Sequence, residues 1–580
     1  MGLSLKPANL TDFTSLFHQK DFVLKRVVGT TYSLYYETLL MLILALIYGP
    51  GANDAIDKKT NEISSAALLA AIRKIKEENL LNVFCQADKA NLAATGDERY
   101  LLTLLDAFVH PVPVKNDKGA FSSFHSKVWL VAFEKNDNHE EKAFRLIVTS
   151  RNLTSNQDFD AVAAFDSSEN GSTAVVDAIR EQVGQLPPEF DDARFNISPY
   201  SFLKAGKLNE TSFRECHSIF SPFLDANMFD YLPSDHPVNV FSMGQEICKL
   251  GEKNIGNGNL RFFMLNPDMN ANTETDGSDD GKHFGLHAKL YISDRAVILG
   301  SSNFTYRGLT QNREYNVNIH QGINEADLLK SVVGAKNTNE SDADWRMRLL
   351  LEKSGMFLPY EPSAPVEEPS EAEKKLDKLL QELACCKLTA KYDDAGNLSL
   401  SVNYQPEAGV KMGWKPFLHG DDFLSIGKPL CWQGVSPEHV CRIFVCKVEI
   451  DGAAPRQFQM LADLDTTLLD ELWDNRFKAE KSKVDIKDEI DFRMLCIEKK
   501  EDLYGRVVQL KMNEGDSASS SRGNRMPQPP IFERLLELEK SQLRDFFKDP
   551  PQKREDDSSG IYDAFVEMGR FFGFYQNKEQ

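Results

Sequence analysis

His287-Ala288-Lys289-Leu290-Tyr291-Ile292-Ser293-Asp294, followed shortly by Gly300-Ser301-Ser302-Asn303, decides how this chain is read. An earlier stretch has the same order: His125-Ser126-Lys127, a β-rich run, then Ser150-Arg151-Asn152. A lone His-x-Lys is ordinarily a solvated strand face. Two copies, each trailed by strand-forming residues and an Asn on a turn of small residues, predict one active site assembled from two half-sites. In an extended strand, side chains two apart share a face, so each pair points its imidazole and its ammonium the same way.

The surroundings of the two copies repeat as well. The histidines lie 162 positions apart and the asparagines 151, near-equal offsets of the kind that internal duplication leaves. In the first half, residues 25–32 read as a strand, 35–48 as the helix behind it and 66–78 as an amphipathic helix. Strands follow at 82–85, 127–133 and 144–149. The second half offers strands at 217–223, 238–241, 260–265, 289–293 and 296–299. Strands alternating with helices predict an α/β fold with a mixed sheet flanked by helices in each half.

Residues 1–190 and 191–340 are therefore the two lobes. Within the second, 266–282 is rich in Asn, Asp, Gly and Thr and reads as a loop at the mouth of the site. Residues 341–384 hold a Pro/Glu linker (361–370) and a charged helix (371–383). Residues 385–512 alternate in the manner of an antiparallel β domain, with Trp414, Trp432 and His419 in its core or interface. Residues 513–530 are a disordered Ser/Gly/Pro linker. Residues 531–580 are a helical tail, with Phe565, Met568, Phe571 and Phe572 on one helix face.

Composition limits the alternatives. The 580 residues, 42% hydrophobic and 27% charged, suit a globular protein of several domains. The longest apolar run, 39–48, is half the length of a membrane span and reads as a buried helix. No secretory leader is expected, and nine scattered cysteines without a Cys-x-x-Cys pair place the chain in a reducing cytoplasm. The excess of 87 acidic over 67 basic residues, net −20, excludes coating nucleic acid by bulk charge. It leaves room for a few basic groups in a cleft.

Two imidazoles, two lysines and two side-chain amides converging on one point suit a phosphodiester. One neutral histidine attacks phosphorus, while the other, protonated, donates to the leaving oxygen. Lys127, Lys289, Asn152 and Asn303 then donate to the nonbridging oxygens, where charge builds up. No cofactor or metal is called for, and no His/Asp/Glu cluster has metal-ligand spacing. Each imidazole needs an acid to fix its tautomer. Glu314, within Arg307-Gly308-Leu309-Thr310-Gln311-Asn312-Arg313-Glu314, and Asp160, within Ser155-Asn156-Gln157-Asp158-Phe159-Asp160, are the candidates. Sequence leaves open which acid serves which histidine.

His287-x-Lys289-x-x-x-x-Asp294 with Gly300-Ser301-x-Asn303 resembles the HKD motif of the phospholipase D superfamily. The first copy keeps His125-x-Lys127, has Ala132 where the Asp stands, and replaces Gly-Ser-x-Asn with Thr149-Ser150-Arg151-Asn152. Members similar to tyrosyl-DNA phosphodiesterase also lack this Asp, and the long insertion before Asn152 resembles that branch and the bacterial nuclease-like members. Over residues 20–330 the resemblance implies two pseudo-twofold-related lobes, a phosphohistidine intermediate and no metal. It implies His125 as nucleophile and His287 as general acid.

The leading expectation is a cytosolic, metal-independent phosphodiesterase acting on nucleic acid, DNA above all, in a bacterial antiviral defence assembly. Ser150, Arg151, Ser301, Ser302 and Arg307, with Tyr306 and Arg313 beside them, are the expected substrate contacts. Residues 385–580 are the expected surface for a protein partner, and no membrane association is expected. The alternatives are a phospholipase or phosphatidyltransferase, and a catalytically idle scaffold.

Overall fold

The computed structural model describes Gly2–Ser4 and residues 10–49, 65–266, 285–320, 357–361, 370–497, 535, 538–548 and 561–575, with breaks of one to three residues inside these ranges. Nearly all of the expected 266–282 loop, most of the 361–370 linker, the expected strand at 507–512, the 513–530 linker and Asp294 lie outside them.

The first sheet is built from β1 (Gly2–Ser4), β2 (Phe22–Thr31), β3 (Leu81–Gln86), β4 (Val109–Val112), β5 (Val128–Lys135), β6 (Lys142–Thr149) and β7 (Val162–Asp166). Its spatial order is β1-β7-β6-β5-β2-β3-β4. β2, β3 and β4 run parallel, and β5 to β7 return antiparallel. β5 is buried on both faces over its first six residues, as a central strand covered on each side must be. Trp129 on β5 lies directly over Gly29 of β2, where any Cβ would collide with the indole. Phe13 and Phe17 meet the same indole edge-on.

Helices α1 (Tyr36–Tyr48) and α2 (Ser65–Glu77) cover this sheet. α1 is apolar nearly all round and buries Leu39, Leu42, Ile43, Leu46 and Ile47. Each such side chain contributes roughly 1.5–3 kcal/mol on burial, which accounts for the longest apolar run in the chain. No described helix is long and apolar enough to cross a membrane.

The second sheet comprises β8 (Ser198–Tyr200), β9 (Cys216–Phe220), β10 (Val238–Ser242), β11 (Leu260–Leu265), β12 (Leu290–Ser293), β13 (Ala296–Gly300), β14 (Asn316–His320) and β15 (Phe357–Pro359). Its order is β8-β14-β13-β12-β9-β10-β11-β15. Without the added edges, β14-β13-β12-β9-β10-β11 repeats β7-β6-β5-β2-β3-β4 strand for strand, with the same parallel and antiparallel senses. The duplication read from spacing is thus present in topology. The two sheets share one apolar core, running from Val28, Leu130 and Leu146 to Phe241, Leu290 and Leu299. β15 comes from the 341–384 segment, just before the expected linker, and it pairs with β11.

The accessory region carries two four-stranded sheets between Leu388 and Leu464. Helix α3 (Glu371–Ala384), opened by a Ser370/Glu373 capping box, packs Leu376, Leu379 and Leu383 into their core with Trp414 and Trp432. The expectation of β structure across 466–497 is corrected: these residues form helices α4 (Thr466–Lys481) and α5 (Ile486–Ile497). Trp473 and Phe477, one helical turn apart, stack at 4.9 Å and enter the first lobe's core with Phe492 and Leu495. The Arg476 guanidinium pairs with the Asp106 carboxylate at 2.9 Å, both nearly inaccessible. Trp473 Nε1 donates to the Leu104 carbonyl, and Arg442 Nη1 to those of Asp106 and Val109.

The tail segments α6 (Lys540–Phe547) and α7 (Ile561–Phe571) pack on Ile490 and Met494 of α5 rather than on the β sheets. Phe565 is buried there, but Phe571, expected on the same face, is 67% exposed. With 3.6 residues per turn, positions 565 and 571 point in quite different directions.

Candidate active site

Both His-x-Lys motifs sit just before a strand rather than on it: β5 begins at Val128 and β12 at Leu290. This corrects the expectation of two strand faces. Each motif is instead an extended entry segment that crosses to the opposite half of the molecule. Phe124 bridges to Arg313, and the His125 amide donates to the Arg313 carbonyl at 2.9 Å. Reciprocally, Leu286 bridges to Phe159, and the His287 amide donates to the Phe159 carbonyl at 2.9 Å. The residue after each bridged partner is an acid. Crossing therefore delivers Glu314 to His125 and Asp160 to His287.

The two halves meet. His287 is pushed well below its ordinary pKa, first by burial and then by the charges of Lys289, Lys127, His125 and Arg151. His125 is lowered by burial, Lys127 and Lys289, against the pull of Glu314. Lys127 is lowered by burial and by Lys289, and Lys289 falls to about 8 from burial. Burial draws both lysines down although Glu314 and Asp160 pull the other way, and an anion between them would add counter-charge. Each lysine uses one donor on the carbonyl of its own motif, Lys127 on His125 (2.9 Å) and Lys289 on His287 (2.6 Å). Two N–H donors per lysine remain for a ligand.

The tautomer of His125 follows from its partners. Its Nδ1 lies 2.9 Å from both Glu314 Oε2 and the Ser301 carbonyl oxygen. Both accept only, because the Glu314 carboxyl is held below its ordinary range by the neighbouring His125 despite burial. Nδ1 therefore carries the hydrogen, and Nε2 keeps its lone pair. Asn312 Nδ2 donates to Glu314 Oε1 at 3.1 Å and so steadies the carboxylate.

The other half is built less tightly. His287 Nδ1 is 3.8 Å from Asp160 Oδ1. Asp160 accepts from the Ser150 hydroxyl at 3.1 Å and lies 3.8 Å from Arg151 Nη1. Burial raises it to about 6. Asp158, unassigned from sequence, also belongs to the site. It takes the Gly285 amide on Oδ1 at 2.9 Å and places Oδ2 3.9 Å from His287 Nε2. Its counterpart in the other half is Asn312, which takes the Ser123 amide at 3.1 Å. The Asp-x-Asp/Asn-x-Glu spacing was the signal that could have found it.

Asn152 and Asn303 each have a buried Oδ1 with no hydrogen-bond partner among the described residues. The smaller expected contacts brace the frame instead of facing a ligand. Ser150 holds Asp160, Ser301 Oγ takes the Tyr315 amide, and Ser302 Oγ takes Asn316 Nδ2. Arg151, expected to contact substrate, is 9% exposed and donates to the Thr154 carbonyl. A Cβ at Gly300 would strike the Tyr315 carbonyl, which fixes glycine in that copy. Arg307 and Tyr306 are exposed. Among the described residues no group of three or more His, Cys, Asp or Glu side chains is arranged to hold a metal ion.

Comparison with known proteins covers the second half of the site. Residues 266–331, which include the second motif, Asn303 and Glu314, match a protein family described as "Cardiolipin synthase, PLD-like domain". No curated protein matches the sequence. Among solved structures, the phosphatidylserine synthase of Haemophilus influenzae Rd KW20 superposes with a TM-score of 0.35 and 12% identity, over 66% of this chain and 92% of that one.

Proposed function

We propose that this chain, a member of the phospholipase D superfamily with phosphodiesterase-type chemistry, works by double displacement through a phosphohistidine on His125. The observation that carries the assignment is the 2.9 Å contact of His125 Nδ1 with Glu314, which frees Nε2 to attack. Nε2 forms a bond to phosphorus as the opposite P–O bond breaks, and the departing oxygen takes a proton from His287. A water or an alcohol then gives its proton to His287 and attacks phosphorus, and the P–N bond breaks. Lys127, Lys289, Asn152 and Asn303 hold the nonbridging oxygens throughout. His287 is neutral in the empty site because of its burial and then the two lysines, and an arriving phosphodiester anion offsets the lysines' field and favours its protonation.

For the substrate, we favour a phospholipid-type diester, hydrolysed or exchanged with an alcohol, over nucleic acid. The matched family is named for a lipid synthase. Of the residues on which the nucleic-acid reading drew (Arg151, Tyr306, Arg307 and Arg313), Arg151 is buried and committed to its own lobe, while Tyr306 and Arg307 are exposed. A role in antiviral defence has no support in the site. Retention of both histidines, both lysines and both acids in one cluster opposes the idle-scaffold alternative. The test is an assay in EDTA on phosphatidylglycerol and phosphatidylcholine vesicles, with and without an alcohol acceptor, beside single-stranded DNA, duplex DNA and RNA. Release or exchange of the lipid headgroup, lost in His125→Ala and His287→Ala, is expected. Cleavage of nucleic acid alone overturns the substrate, and cleavage surviving both substitutions overturns the site.

A further inference from the structure

A cavity of about 290 Å³ opens beside the catalytic cluster, where three parts of the chain meet. Tyr32 and Lys89 reach it from the first lobe, Ser123 and Arg307 from the motif-bearing segments, and Gln381 and Arg456 from the accessory region. Tyr32 joins it to the chemistry. The phenol ring sits 5.0 Å from the His125 imidazole, centre to centre, with Lys127 Nζ at 5.7 Å and Lys89 Nζ at 5.8 Å from its centroid. Ser123 is two residues before His125 and is tied to Asn312, the residue that steadies Glu314.

The lining sets the ligand's chemistry. Three cationic side chains are present with two carboxylates, Lys89 paired with Asp88 at 2.9 Å and Arg456 with Asp377 at 3.2 Å. Only Leu380 and Ala384 are apolar. An acyl chain placed here would strip water from charged groups without replacing its hydrogen bonds. A compact molecule bearing hydroxyl, carbonyl or amide groups would satisfy them, and the volume admits a glycerol unit or a nucleoside.

Geometry also says which part of a diester could enter. In an in-line displacement His125 Nε2 and the leaving oxygen occupy opposite apices. The ester arm that stays on phosphorus lies around the equator, and Tyr32, which meets the His125 imidazole and lines the cavity, connects the two. We propose that this cavity is the subsite for the polar portion of the retained alcohol arm of the phosphodiester, in a phospholipid the glycerol unit with its acyl chains left outside, and that the accessory region, through Gln381 and Arg456, selects it. This rests on the phosphohistidine reading above. It gives the accessory region a role in choosing substrate instead of partner.

The test holds the leaving group constant and varies the retained arm, using p-nitrophenyl diesters of methanol, glycerol and thymidine (5′-linked). Gln381→Trp fills the cavity from an exposed helix position, and Arg456→Ala removes a half-exposed guanidinium. Both variants should lose about tenfold or more in kcat/KM on the glyceryl or the thymidine diester while staying within about twofold of wild type on the methyl diester. Which of the two larger arms responds identifies the source of the alcohol. Equal losses on all three diesters, or no loss on any, overturn the subsite. A wild type inert on every diester overturns the phosphohistidine reading, and the cavity is then read by calorimetry with glycerol 3-phosphate and thymidine 5′-monophosphate. Binding of either that Gln381→Trp weakens sustains the subsite, and absence of binding to the wild type refutes it.

Discussion

Glu314 Oε2 and His125 Nδ1, 189 residues apart, are 2.9 Å from each other, whereas Asp160 Oδ1 stands 3.8 Å from His287 Nδ1 in the duplicated half. A duplicated framework has thus acquired unequal halves. One histidine is locked in the tautomer of a nucleophile; the other sits loosely beside two carboxylates, Asp160 and Asp158. Glu314→Gln should therefore lower kcat by about 10²-fold or more, and Asp160→Asn should cost less. Steady-state kinetics of the two variants side by side decide the point; equal losses would mean the halves are equivalent.

Asp158 makes a separate prediction. Its charge, with those of Asp160 and Glu314, holds up the pKa of Lys289, which burial draws down to about 8. Lys289 must be cationic to grip the phosphoryl group, so kcat/KM should fall above about pH 8. Asp158→Asn removes one raising charge and keeps the amide contact to Gly285, as Asn312 does in the other half. The alkaline limb should move to lower pH, and a limb left in place would show that Asp158 has no part in the site's charge balance.

Anion binding should take up a proton. His287 is held neutral by burial and then by Lys289 and Lys127, and tungstate or phosphate between the lysines would relieve their field. Calorimetric titration at pH 7 in buffers of different ionisation enthalpy should show uptake in the wild type and markedly less in His287→Ala. Binding without proton exchange would contradict the account of the general acid.

Asp160 links stability to pH. Its folded pKa of about 6 lies above the ordinary aspartate value of 3.8, so its ionisation disfavours the folded state. The folded form gains from this group fully below pH 3.8 and loses that gain as pH rises through 6. The difference amounts to about 3 kcal/mol. Unfolding free energies of wild type and Asp160→Asn should diverge by about that much between pH 4 and pH 8, with the wild type losing ground as pH rises. Parallel pH profiles would refute it.

The two motifs, their offsets and the strands around them were legible because period-2 runs and a fixed pattern survive in one dimension. The pairing of acids was not. It depends on each entry segment crossing to the opposite lobe, a backbone contact of Phe124 with Arg313 and Leu286 with Phe159 that no local spacing encodes. The buried state of Arg151 was equally hidden, because an arginine beside a motif looks the same on paper whether it meets a ligand or Asp160. Helices α4 and α5 were missed because their apolar residues face a distant lobe. The Arg476–Asp106 pair that anchors them joins positions 370 apart.

That anchor is itself testable. Removing one member of a buried ion pair leaves the other uncompensated, at a cost of about 3–5 kcal/mol. Arg476→Ala should lower the denaturant midpoint accordingly, while an exposed pair such as Lys387–Asp463 should matter little when broken.

The covalent intermediate tests the central claim most directly. Wild type and His287→Ala should be quenched in acid-free denaturant during turnover of a p-nitrophenyl diester, in the presence of EDTA, and digested for mass spectrometry. The account predicts a phosphoryl adduct on His125, more abundant in His287→Ala, and none in His125→Ala. An adduct on His287 instead, or turnover with no adduct on either histidine, would contradict it.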